Sequence, residues 1–363
     1  MLSRRSISTA ITSLIIFLFS CDDSKVKAED ELDRVAIDLL LSEYDLVNGP
    51  GAALLIIKEG DILYSNEYGM ANLEEDTPIT FATNFRLASV TKQFTAMCIM
   101  ILKSRGQLDY EQTITDIFPD FPDYGNNITI THLLHHTSGL IEYFSLITEQ
   151  VKDRDVLNLM MQQSWTYFPP GTDYRYNNSG YAILAMIVEE VSGLSFANFL
   201  EQNIFLPLGM SNSIAFEDGI SIVNNRAYGY SVNTILEGPE YFRDDQSLAS
   251  AVLGDGGIYT SAEDMLKWDQ SLYTNTLVPY AILNKAFTSG KLSSGEETGY
   301  GFGWVLDTYY YRERVSHTGS TRGFRNVFMR FPNERISIII LTNRNSGTPK
   351  DIANQIADLL FDP

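Results

Sequence analysis

Ser89 and Lys92 stand three residues apart in the stretch LASVTKQFTA, residues 87–96. Positions i and i+3 share a helix face, so the two side chains can meet. A serine hydroxyl is a poor nucleophile until a neighbouring base takes its proton. A lysine held in a dry site binds its own proton less tightly and can be that base, or can help a neighbour do the work. The run that follows, Met97 to Leu102, is apolar on almost every face, the mark of a buried helix. Burying an ammonium costs several kcal/mol unless it is paired or neutral. Lys92 therefore either snorkels to water or is wanted inside. The helix N-terminus adds free backbone N–H groups and a positive dipole, which suit a developing oxyanion. A capping serine beside a snorkelling lysine would leave the same letters.

Two further groups of residues bear on the choice. In YRYNNSGYAILAMIVEE, Tyr176-Asn177-Asn178 comes just before a helix that begins near Ser179. Tyr176 there can place its phenol oxygen in a cleft, and Asn178 can hydrogen-bond a buried ammonium. The alternative makes Asn178 or Ser179 an N-cap and Tyr176 a core aromatic, in a chain of 20 tyrosines. In RVSHTGSTRGF, His317-Thr318-Gly319 follows a strand-like alternation, and Gly319 lets a ligand approach the backbone. An ordinary strand end with polar residues would read alike. The pair His132 and His136 in HLLHH has a spacing that can hold zinc, yet no Glu lies between them in HExxH fashion and no cysteine or acid stands close by. No metal and no cofactor is expected.

The elements that must position these residues fall into two sets. ELDRVAIDLLLSEY has apolar residues at helical spacing, and AALLIIKEGDILYSNEYG reads as a hairpin turning at Glu59-Gly60-Asp61. The Ser89 helix stops around Gly106, a good C-terminal cap residue. Near the other end, RNVFMRF and RISIIILTN flank Pro332-Asn333-Glu334 as a second hairpin, and TPKDIANQIADLLF is a helix capped at Thr348. Between them, helical segments alternate with Pro/Gly/Asn-rich loops. The expected fold class is α+β: an antiparallel sheet flanked by helices, built from about 31–107 and 292–363, with a largely helical insertion at about 108–291. A catalytic cleft would lie between the two parts.

The chain has 363 residues and a formal net charge of −20, with no Lys/Arg cluster that resembles a phosphate footprint, so nucleic acid is not an expected partner. Arg4 and Arg5 precede AITSLIIFLF, too short to span a bilayer, and then Ser20-Cys21. This is a signal-peptide layout over 1–20. LFSC resembles the lipobox of bacterial lipoproteins, in which the cysteine is lipidated, and residues 21–30 form a charged tether. The expected place is the bacterial cell envelope, with a lipid anchor at Cys21 and the enzyme on the periplasmic or surface side. The second of the two cysteines, Cys98, sits in the apolar helix, so it reads as a small buried hydrophobe.

Taken in order, SVTK, YNN and HTG resemble the Ser-x-x-Lys, Tyr-x-Asn and Lys/His-Thr-Gly motifs of the serine β-lactamase-related hydrolases. This superfamily comprises class C β-lactamases, low-molecular-weight penicillin-binding proteins, D-aminopeptidases and related esterases. ITHLLHHTSGL, FPPGTDYRYNNSGY, GGIYTSAEDMLKW and YGFGW are similar too, so the resemblance covers the chain after its leader. It implies Ser89 as nucleophile, and Lys92 and Tyr176 as the proton-transfer pair. Asn178 would orient Lys92 and the substrate amide, and the N–H groups of Ser89 and Ser320 would form the oxyanion hole. His317, Thr318 and Gly319 would line the strand edge where substrate lies. The implied activity is acyl transfer to water from small esters, or from amides and peptides bearing D-residues. The departure is His317, where true class C β-lactamases have lysine, and it sets β-lactam hydrolysis in doubt. A genuine β-lactamase or D,D-peptidase, and a non-catalytic binding protein on this fold, are the alternatives.

Overall fold

A computed structural model describes residues 32–234 and 240–361; the leader, Cys21 and the tether lie outside the described residues. Both hairpins form and join into one antiparallel sheet. Its six strands lie in the order Val305–Tyr309, Arg312–Thr321, Phe324–Phe331, Ile336–Thr342, Ala52–Lys58 and Asp61–Tyr68. The N-terminal and C-terminal hairpins join between its fourth and fifth strands, where Leu54 pairs with Ile340 and Ile56 with Ile338.

Successive strand residues point to opposite faces. Ala53, Leu55, Ile57, Ile339 and Leu341 thus enter one core, and Leu54, Ile56, Ile338 and Ile340 another. The second core is closed by Ile37 of the helix Arg34–Leu40 and by Ile352 and Ile356 of the C-terminal helix Pro349–Phe361. The first and larger core is closed by the helices Lys92–Ser104, Asn178–Ser192 and Ala262–Ser271. Cover on both faces explains why ISIIILT is buried at every position instead of alternating.

Between the two hairpins short helices alternate with loops, and among them lie two small sheets that pattern reading misses. One joins Phe85–Arg86, Ile258–Thr260 and Ile214–Ala215; the other joins Tyr230–Val232 and Tyr241–Arg243. Strands of two or three residues are too short to display a period of two. The first of them matters most, because it delivers the chain to Ser89.

Candidate active site

Phe85 pairs with Thr260 and Arg86 with Tyr259 as the backbone approaches the nucleophile. Leu87 N–H donates to Ile258 O at 2.9 Å. Asn326 Nδ2 donates to the carbonyls of Arg86 at 2.8 Å and Leu87 at 3.2 Å. Ala88 then takes a left-handed conformation, φ +50°, which costs a residue with a Cβ on the order of 1 kcal/mol. The chain turns through the short 3-10 helix Ala88–Thr91 into the helix Lys92–Ser104. Ser89 therefore sits on a strained turn just ahead of the α-helix. The strand Arg312–Thr321 presses on that turn so closely that a Cβ at Gly319 would lie 2.0 Å from Leu87 O.

Lys92 does not snorkel. It is fully buried, and its Nζ lies 3.2 Å from Ser89 Oγ, 2.8 Å from Asn178 Oδ1 and 2.8 Å from the Asp255 carbonyl oxygen. Burial draws its pKa down from 10.5 to about 8, while the carboxylates of Asp255 and Glu142 pull the other way. Asn178 Oδ1 and Asp255 O can only accept. A neutral amine spends its two N–H groups on them, and its lone pair is left facing Ser89 Oγ. An ammonium has three donors for the same three oxygens. Either protonation state is satisfied, which is what a group that takes up and returns a proton requires.

The Asn178 amide is held in turn. Its Nδ2 donates to Glu142 Oε2 at 3.3 Å and its backbone N–H to the same oxygen at 2.9 Å, which leaves Oδ1 for Lys92. Glu142 Oε1 is buried with no hydrogen-bond partner, and burial raises its carboxyl above the usual range. Tyr143 OH donates to Asp255 Oδ2 at 2.8 Å, and burial raises that carboxyl as well. The N-cap of the helix Asn178–Ser192 is Asn177, whose Oδ1 accepts from Gly180 N–H at 2.8 Å; Asn178 and Ser179 are its first residues.

The Tyr176 hydroxyl is buried, makes no hydrogen bond of good geometry and faces Ser89. Burial holds its proton far above the ordinary phenol range. Lys92 Nζ lies 4.9 Å from the ring centroid, on the π face. Tyr176 is thus a neutral phenol beside the nucleophile.

His317 lies inside its strand and not at the end. Its Nδ1–H donates to Thr318 O at 2.7 Å, so Nε2 accepts from Tyr300 OH at 2.9 Å. Burial, then the nearby Lys92, lower its pKa to about 3. The ring packs beside Tyr176, 6.0 Å between centroids, and not on the open cleft. Thr318 is exposed, and Ser320 lines the cleft with Ser89, Asn178, Asp255 and Phe144, around a volume of about 110 Å³. The strand Val305–Tyr309 pairs only as far as Ser316, so beyond it no strand among the described residues covers that edge. An extended substrate can lie along it.

The cleft has few free cations. Arg86 lines it, but its guanidinium is spent on Gln246 Oε1 at 2.9 Å and on the carbonyls of Ser250 at 2.8 Å and Gly256 at 3.3 Å. Arg325 bonds its own turn through Thr321 O and Phe324 O, and Arg322 faces Asp244. Arg86, Glu142 and Asp255 were not legible as site residues. The one available signal for Asp255 is its place in GDGG directly before an apolar strand. His132 and His136 do not share a helix: His132 lies in Ile130–Leu134, while His136 follows it with φ +59°. Among the described residues no three His, Cys, Asp or Glu side chains cluster as a metal site would require.

Residues 44–362 match the Beta-lactamase family. The chain belongs to that family. A penicillin-binding protein of Bacillus subtilis (strain 168) is 33% identical over 323 residues, 85% of this chain and 70% of its own length. A D-aminopeptidase of Gluconobacter oxydans (strain 621H) is 27% identical over 330 residues, 87% of this chain and 60% of its own. Both relatives are therefore longer than the part that matches. Among solved structures, the octameric penicillin-binding protein homologue from Pyrococcus abyssi superposes with a TM-score of 0.78 at 26% identity, covering 90% of this chain and 76% of that one. Family and geometry together make this a serine hydrolase.

Proposed function

We propose that the chain hydrolyses amides, peptides or esters through an acyl-enzyme on Ser89, with a preference for acyl groups that are neutral or carry an ammonium. The observation that carries the chemistry is the hydrogen-bond count at Lys92, whose lone pair is left for Ser89 once two obligate acceptors are served. Ser89 Oγ attacks the acyl carbon as Lys92 Nζ takes its proton. The carbonyl oxygen becomes an oxyanion facing the backbone N–H groups of Ser89 and Ser320, a contact whose loss typically costs ~10²–10³ in rate. Tyr176 keeps its proton more tightly than a free phenol, so it is not the base for Ser89. It passes a proton to the leaving amine and is refilled from Lys92. Water repeats the sequence in reverse on the acyl-enzyme.

The charge of the cleft supports the substrate class. His317 is neutral where a lysine would hold a carboxylate, and the guanidinium groups of Arg86 and Arg325 are spent elsewhere. Asp255 lines the cleft, and Glu142 stands behind that wall against Asn178. This wall favours an α-ammonium over a carboxylate, as the name of the D-aminopeptidase relative also suggests for D-aminoacyl substrates. The test compares kcat/KM for a D-alanine p-nitroanilide, its N-acetylated form, a p-nitrophenyl ester and a chromogenic cephalosporin. The free-amine anilide should exceed its blocked form, and the ester should exceed the cephalosporin. Preference for the cephalosporin would refute the substrate class. The envelope anchor belongs to the same reading and rests on Arg4, Arg5, the apolar run and Cys21. Cys21→Ala should release the protein from membranes in detergent phase partitioning; continued partitioning would refute the lipid anchor.

A further inference from the structure

Asp153, the first residue of the helix Asp153–Met161, is a buried carboxylate that the chemistry above does not use. Its Oδ2 accepts Leu253 N–H at 2.7 Å and its Oδ1 accepts Gly254 N–H at 2.9 Å. Those two residues open the single turn Leu253–Gly256, whose carbonyls point the other way. Gly254 O accepts from Thr95 Oγ at 2.7 Å, and Asp255 O accepts from Lys92 Nζ at 2.8 Å. The turn is wedged as well as clamped: a Cβ at Gly254 would lie 2.4 Å from Tyr181 O. From Asp153 to the catalytic amine the path is two hydrogen bonds and one rigid turn.

We infer that Asp153 is a positioning residue for Lys92, holding the Asp255 carbonyl where it takes one N–H of the amine and leaves the lone pair on Ser89. The inference rests on the reading of Lys92 as the base. Without the clamp the N-terminal end of the turn loses both its N–H anchors, and Thr95, Tyr143 and Arg86 hold only its carbonyls and the Asp255 side chain, so the amine's acceptor and the aim of its lone pair are less firmly fixed. Burial and the nearby Asp255 carboxylate push the Asp153 carboxyl up to about 7, against the two N–H bonds that hold it down. Tyr143 and Asp255 face it from other elements, and Arg154, with its partner Glu189, lies along its own helix. Lys92 itself faces Glu142, Asp255, His136 and His317. The clamp is at full strength only above pH 7, so the acid limb of Ser89 reactivity should involve two protons: one on Lys92 and one on Asp153.

The experiment measures the rate of Ser89 phosphonylation by a fluorophosphonate from pH 5.5 to 9.5 in wild type, Asp153→Asn and Thr95→Val, with kcat and KM for a p-nitrophenyl ester alongside. An unreactive wild type would sink the serine-hydrolase reading itself, before the role of Asp153 is reached. With a reactive wild type, Asp153→Asn should lower the plateau about tenfold or more, leave KM within about twofold, and reduce the acid limb from two protons to one. Thr95→Val, which loosens the same turn and leaves the carboxylate in place, should lower the plateau and keep the two-proton limb. An Asp153→Asn protein with wild-type plateau and wild-type slope would overturn the inference. If Asp153→Asn does not fold, Thr95→Val decides: a lowered plateau with a two-proton limb supports the clamp, and an unchanged plateau overturns it.

Discussion

The pH dependence of the first chemical step follows from Lys92. An ordinary lysine with a pKa of 10.5 is neutral in only about one molecule in three thousand at pH 7. Brought down to about 8, it is neutral in about one in ten. The fold therefore raises the population of the competent base about three-hundredfold, without any counter-ion being removed. No histidine should blur the profile, since His317 lies at about 3 and burial holds His136 well below 6.5. The assay is kcat/KM for a neutral p-nitrophenyl ester between pH 5.5 and 9.5, corrected for the uncatalysed reaction. It reports the free enzyme. The rate should be half-maximal near pH 8, level off about one unit above it and fall below it, more steeply under pH 7 as Asp153 takes up its proton. Asp255→Asn removes the largest influence that favours the ammonium, so its midpoint should move to lower pH; Glu142→Gln should do so to a smaller extent. A midpoint that ignored both substitutions, or a flat profile, would refute Lys92 as the base.

Ser89→Ala should abolish fluorophosphonate labelling and turnover together, because among the described residues no other hydroxyl is hydrogen-bonded to Lys92 Nζ. Tyr176→Phe should slow amide hydrolysis ~10²–10⁴-fold and p-nitrophenyl esters much less, since nitrophenolate leaves without a proton; equal losses on both substrates would assign Tyr176 another role. His317→Lys places an ammonium in the buried pocket beside Tyr176 and Lys92, so like-charge repulsion should move the Lys92 midpoint of the ester profile to lower pH; an unmoved midpoint would show that the new cation lies elsewhere. In acid, His317 is neutral when folded down to about pH 3 but takes a proton near 6.5 when unfolded, so its contribution is complete above 6.5 and is lost as the pH falls. Urea midpoints at pH 7 and 5 should therefore show His317→Gln losing less stability over that interval than wild type, by roughly 2 kcal/mol.

How much of this was legible depends on how far apart the partners lie in the chain. Ser89 and Lys92 are three residues apart, and helical geometry alone brings them to one side, so their contact followed from spacing. Both hairpins were legible because their strands are local and their turns short. Their union across almost the whole chain, Ala52–Lys58 against Ile336–Thr342, followed only because neither hairpin can bury two faces by itself. The alternative reading of Asn178 or Ser179 as a cap fell one or two residues late, since Asn177, Asn178 and Ser179 all suit a cap and only the fold selects Asn177. For His317-Thr318-Gly319 an ordinary strand end was the alternative to a substrate-lining strand edge, and the strand's continuation to Thr321 removes that alternative.

What remained hidden is the electrostatic setting of Lys92. Asp255 and Glu142 stand far from it in sequence, in segments whose acids look like any loop acid until packing removes their water. The motif identifies the atom that reacts, but not its charge. That charge is settled by residues from three separate segments: the stretch before the Asn178 helix with Glu142, the helix itself with Asn178, and the Leu253–Gly256 turn with Asp255. All three lie outside the six-stranded sheet, between its strands Asp61–Tyr68 and Val305–Tyr309, while His317, Thr318 and Ser320 belong to the sheet. The sheet presents the substrate edge, and the segments between those strands set the base. Substitutions in those segments should accordingly move pH profiles, and those at the exposed strand positions should move substrate ratios.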